Sequence, residues 1–117
     1  MKKIIFGIML GFGALTMFAD DKPSFPGGEA AMKKYISENT RYPDAAKENG
    51  VEGIVVIDFL VNSDGSLNNL KVEKAVDPDL EQEAIRVVGS MPAWIPAEKG
   101  GTPIEAPAKA EVPFLLD

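Results

Sequence analysis

Apolar and polar residues recur along this chain with a period that changes from segment to segment. Between Glu29 and Asn39, Ala31, Met32, Tyr35 and Ile36 follow the i, i+1, i+4, i+5 spacing of one helix face. Tyr42-Pro43 ends that helix. Proline is favoured at the first position of a new one, so Pro43–Asn49 is predicted as a short helix, with Gly50 as its left-handed stop. Val51–Asn62 changes to a strand pattern. Val51, Val55, Ile57, Phe59 and Val61 fill one face, while Ile54, Val56 and Leu60 make the other face apolar too. A strand with two apolar faces belongs in the middle of its sheet. Ser63-Asp64-Gly65-Ser66 carries the Asp-Gly hairpin dipeptide, and Leu67–Val76 returns as a half-exposed antiparallel strand.

Asp77-Pro78-Asp79 opens the next helix. Asp79 with Gln82 has capping-box spacing, and Glu81 and Glu83 lie near the positive N-terminal end. Leu80, Ala84, Val87, Val88 and Met91 make a single apolar stripe, ended by Pro92. Met91–Ala97 is a proline-braced apolar segment in which Trp94 is expected to cap the core. Glu98–Gly101 reads as a loop, and Ile104–Leu116 as a last strand interrupted by Pro107 and Pro113.

The predicted order is helix, helix, strand, strand, helix, strand. The crossing helix carries the chain back, so the third strand lies antiparallel to the first on its free side. The result is an α+β fold of two layers: a three-stranded antiparallel sheet in order 2-1-3, with helices packed on one face. The last strand then falls on an edge, where prolines are tolerated.

Lys2-Lys3, the apolar run Ile4–Phe18 and Ala19 before Asp20-Asp21 have the three-part layout of a signal peptide. The alternative is a short uncleaved anchor; its 16 residues make about 24 Å of helix at ~1.5 Å per residue, short of the ~30 Å hydrocarbon core. Either reading puts the folded part outside the cytoplasm, and the membrane is reached only through an uncleaved leader. The expected organisation is 1–19 leader, 20–28 an irregular Pro/Gly-rich lead-in, and 29–117 the folded domain. A net charge of -6 disfavours nucleic acid, since no surplus of cations exists to displace counterions from phosphates. With neither Cys nor His, the chain lacks disulfides, thiolate metal sites, the commonest general base and the commonest metal ligand. A binding protein without cofactor or metal, rather than an enzyme, is the expectation.

Several stretches together resemble one family. They are Phe25-Pro26-Gly27-Gly28, Tyr42-Pro43-Asp44-Ala45-Ala46, Gly50–Val56 before Val61–Ser66, Val76–Leu80 with Glu83-Ala84, Met91–Pro96, and Val112-Pro113-Phe114. In this order they resemble the C-terminal domain of TonB, from Phe25 to about Leu116. The resemblance implies the fold just derived, a periplasmic location in a Gram-negative envelope, and a part in energised transport across the outer membrane. It also implies a partner: a short peptide of an outer-membrane receptor, the TonB box, which adds as a strand beside the domain's last strand. An edge strand supports such addition because its N–H and C=O groups lack partners. About eight residues separate Ala19 from Gly28, an extended reach of at most ~30 Å. A stand-alone or accessory module is therefore expected, rather than a complete transducer.

The residues expected to form the peptide-binding edge are Ala108, Lys109, Ala110, Glu111, Val112 and Phe114, with Pro107 removing one edge donor. Against that stands an edge merely protected from pairing by Pro107, Pro113, Lys109 and Glu111. Tyr42 and Pro43 read either as ligand-proximal or as a helix start. Asn62, Asp64 and Ser66 lack the ligand series of a calcium loop and read as a turn. Asp77, Asp79, Glu81 and Glu83 read as cap and dipole partners rather than acid–base catalysts. The competing function is a self-associating envelope protein, in which a homodimer buries the Ile54, Val56, Leu60 strip or pairs its edges.

Overall fold

A computed structural model describes residues 21–117; the leader expected over Met1–Ala19 lies outside them. Helix α1 spans Glu29–Asn39 and α2 spans Asp44–Glu48. Strands β1 (Gly53–Val61) and β2 (Leu67–Lys74) form a hairpin, and α3 covers Pro78–Gly89. Short strands β3 (Ala97–Lys99) and β4 (Thr102–Ile104) precede the last strand, β5 (Ala106–Phe114). The main sheet is three-stranded and antiparallel in the order β2-β1-β5, with the two-faced apolar strand central as its composition requires.

Strand β1 buries Val55, Ile57, Phe59 and Val61 on the helix side. The α3 stripe of Leu80, Ala84, Val87 and Val88 covers them and is fully buried. Met91, just beyond the helix, completes the stripe. From β5 come Ala110, Val112 and Phe114. Among the described residues no helix covers the opposite sheet face: Ile54 is exposed, and Val56 and Leu60 are half-buried beside Asp58.

Local chemistry departs from expectation at several places. Pro43 is the cap of α2 rather than its first residue. The first strand begins at Gly53, since Val51 N–H is drawn back to the Ala46 carbonyl at 2.9 Å. The cap of α3 is Asp77, not Asp79: its carboxylate accepts from Asp79 N at 3.0 Å and Leu80 N at 3.3 Å, with Pro78 in the first turn. Glu81 and Glu83 make specific bonds instead of only facing the helix dipole. Glu81 accepts from Val76 N at 2.8 Å, and Glu83 from Arg41 N at 2.7 Å and from the Arg86 guanidinium.

Glu98–Gly101 is no open loop. Gly100 (φ 60°) and Gly101 (φ 85°) turn the β3–β4 hairpin, which takes Ile104 and leaves β5 to begin at Ala106. The lead-in is likewise not wholly irregular. Asp21 and Glu98 exchange backbone bonds at 3.0 and 3.1 Å, and Ser24 and Ile95 do so at 3.0 and 2.8 Å. At the tip of the β1–β2 hairpin, Gly65 (φ 89°) accepts the Trp94 N–H at 2.8 Å. This bond staples the turn to the apolar segment after α3. Trp94 is buried edge-to-face against Phe59 and Phe25, with ring centroids 5.1 and 6.0 Å away, so it does sit over the core. Its Nε1 has no acceptor among the described residues.

Candidate functional site: the open edge of the sheet

Strand β5 pairs with β1 residue by residue from Ala106↔Val61 to Phe114↔Gly53, and among the described residues nothing pairs with its other side. Its two prolines determine which backbone groups point where. In an antiparallel ladder, opposed residues alternate between pairs that exchange both hydrogen bonds and pairs that exchange none. Pro107 faces Leu60 and Pro113 faces Ile54. Neither proline has an N–H, so these are the unbonded pairs. The bonded positions are therefore Ala106, Ala108, Ala110, Val112 and Phe114. Pro107, Lys109, Glu111 and Pro113 turn their backbone groups to the open edge. Of those four, only Lys109 and Glu111 carry an N–H.

The six residues expected at the edge thus divide into two sets. Lys109 and Glu111 have exposed side chains and outward backbone groups. Ala108 is half-buried, while Ala110, Val112 and Phe114 are buried and bond to β1. The other edge of the sheet, β2, is different in kind. Its register with β1 shifts twice and Asn69 takes φ 57°, irregularities that blunt an edge.

Helix α1 runs beside the β5 edge, and a groove of about 800 Å³ lies between them. Met32 and Ile36 wall it from the helix; Tyr42, Ile54, Pro113 and Leu115 line it from below and from the end. A further hollow of about 860 Å³ continues past Pro107 towards Phe25 and Trp94. The two hollows share Glu29, Met32 and Lys109, so the depression follows the whole strand. Met32 and Ile36 escaped the sequence reading because their periodicity reports only an apolar helix face. Nothing in that periodicity says the face stops short of the sheet edge.

Tyr42 belongs to this site by position. Its ring stands edge-to-face on Phe114 at 5.6 Å and its hydroxyl donates to the Val51 carbonyl. Burial, and then the negative charge of Glu52, push its hydroxyl pKa up. Pro43, φ -60°, caps α2 and holds the backbone that places Tyr42. Pro43 thus starts α2, and Tyr42 lines the groove.

On the exposed sheet face Lys109 reaches over β1 to Glu73, with Nζ 3.0 Å from Oε1. Asp58 lies beneath. Its pKa is raised, chiefly by the neighbouring Glu73 carboxyl with which it shares a proton; Glu73 is lowered by that same interaction and by Lys109. Among the described residues no group of three carboxylates could hold a metal ion, and no helix is long and apolar enough to cross a membrane.

Among the described residues this is a two-layer α+β domain with one smooth, unpaired edge beside an apolar groove. Comparison with known proteins gives the family. Residues 38–116 match the model of the Gram-negative bacterial TonB protein C-terminal domain, and the chain belongs to that family. Protein TonB of Helicobacter pylori strain J99 is 41% identical over 49 residues, covering 42% of this chain and 18% of that protein. Protein TonB of Haemophilus influenzae is 36% identical over 75 residues, covering 58% and 28%. The chain thus spans less than a third of these curated relatives. Two solution structures of the H. pylori TonB C-terminal domain share the fold. The longer piece has a TM-score of 0.57 at 28% identity, covering 74% of this chain and 78% of that one. The shorter has 0.53 at 29% identity, covering 74% and 94%.

Proposed function

We propose that residues 29–117 form a periplasmic module that binds an extended segment of an outer-membrane receptor by adding it as a strand to β5. Through that contact the module serves TonB-dependent transport. The observation that carries this reading is the β5 edge, unpaired among the described residues and facing an apolar groove, in a chain of the TonB C-terminal family. Main-chain bonds supply the attraction, and the groove receives alternate side chains. Tyr42 contributes an aromatic wall.

Self-association through the bare sheet face is the weaker reading. Among the exposed apolar Ile54 and the half-buried Val56 and Leu60 stand Asp58, Lys71, Glu73 and Lys109. Burying that face against a copy would desolvate those charges.

Titration of isotope-labelled protein with a TonB-box peptide tests the proposal. Amide shifts are expected in Ala108–Leu115 and in Met32 and Ile36. Unchanged shifts there at millimolar peptide would refute it. A chain that sediments as a dimer, with the Ile54 face protected, would transfer the argument to self-association.

A further inference from the structure

Resting on that reading, we infer that Pro107 and Pro113 fence the open edge, so that a partner is admitted only as a single extended segment held at Lys109 and Glu111. Four outward residues offer four carbonyls but only two N–H groups, both between the prolines. The free edge of a nine-residue strand is thereby reduced to a central window with an acceptor-only margin at each end. A bound segment gains its full ladder across that window alone. Beyond it the segment leaves the sheet and turns into the hollows on either side, one past Pro107 towards Phe25 and one past Pro113 towards Leu115.

Two further observations describe the occupant. Helix α1 walls the far side of the groove, so a segment added to β5 runs between the strand and Met32 and Ile36 of the helix. Charge then selects among segments. Lys109 is held by Glu73 at 3.0 Å, whereas Glu111 has no ion-pair partner among the described residues. The unspent charge of the window is negative, as is that of the whole chain at -6. A cation opposite Glu111 is the favoured cross-strand pair, worth a few-fold in affinity. The prolines have a second effect: they deny a long, flat edge to copies of the chain, limiting non-specific pairing while leaving a short specific one.

The test is a proline scan of β5 with amide hydrogen exchange, using the whole chain and the TonB-box peptide as probe. In the free protein, Lys109 and Glu111 amides should exchange rapidly while Ala108, Ala110 and Val112 are protected. Lys109→Pro and Glu111→Pro should fold with melting temperatures close to the parent, because neither N–H serves the β1 ladder. Ala110→Pro should unfold the domain. Each of the first two should weaken the peptide about tenfold or more, whereas Pro107→Ala or Pro113→Ala should tighten it about threefold by restoring a donor. A peptide with lysine in its paired stretch should bind about threefold tighter than one with glutamate there.

Protected Lys109 and Glu111 amides in the free protein, or unfolding by Glu111→Pro, overturn the fence whether or not any peptide binds. Full affinity in Glu111→Pro overturns it while leaving strand addition intact. Absence of binding by the parent protein itself removes the functional reading instead.

Discussion

Replacing Gly65 by alanine isolates the contact that ties the β1–β2 turn to the rest of the domain. Gly65 adopts φ 89° and its carbonyl accepts the Trp94 N–H at 2.8 Å. A Cβ built there overlaps the Trp94 carbonyl oxygen, a backbone atom that cannot rotate away. Holding a left-handed backbone at a non-glycine residue costs about 1–2 kcal/mol. Displacing Met91–Pro96 leaves the Trp94 N–H without its acceptor, about 1–3 kcal/mol more. The sum is roughly 2–5 kcal/mol, a large part of the ~5–15 kcal/mol that holds a small domain folded.

Gly50→Ala supplies the control. Gly50 has φ 66°, but nothing lies within 4 Å of its would-be Cβ, so only the backbone cost of about 1–2 kcal/mol is expected. Urea titration followed by Trp94 fluorescence measures both. With a slope of ~1 kcal/mol per molar for a domain of this size, the Gly50 variant should unfold about 1–2 M before the parent, and the Gly65 variant about 1–3 M earlier still. Equal midpoints in the two variants would refute the staple.

Other outcomes follow from the same geometry. Asp77→Ala removes the cap of α3 and should cost about 1 kcal/mol, read from the urea midpoint; Asp79→Ala, which caps nothing, should cost clearly less. Trp94→Ala should cost about 3–5 kcal/mol, and Trp94→Phe far less than that, because phenylalanine keeps much of the packing and removes the orphaned Nε1. Glu83 is held below the usual glutamate range, first by the Arg86 side chain and then by Arg41 N–H. Its contribution is therefore complete above the unfolded value of about pH 4.3 and is lost as pH falls through its lower folded value. Thermal melts between pH 7 and pH 3 should show this loss in the parent and not in Glu83→Gln.

How far the sequence carries the argument depends on the range of each interaction. The helix face at Ala31–Ile36, the Asp64-Gly65 turn and the α3 stripe are read from neighbours a few residues apart, and all three appear in the fold. Where two local signals compete, one-dimensional reading chooses poorly. Asp77 and Asp79 both suit a cap, and the tie is broken by Pro78, which sits naturally in the first turn after Asp77. The β3–β4 hairpin was missed for another reason: its strands are three residues each, too short for alternation to register.

The sequence alone determined the types of the three helices and of the three strands of the main sheet, the central place of the two-faced strand and the family, because periodicity, turn chemistry and motif order are properties of the chain itself. Tertiary structure decided which backbone groups of β5 are free, because that depends on the register with β1, some fifty residues earlier in the chain. It also set α1 beside the edge and brought Gly65 to Trp94. Two prolines visible in the sequence acquire their meaning only when a partner strand shows which way each residue faces.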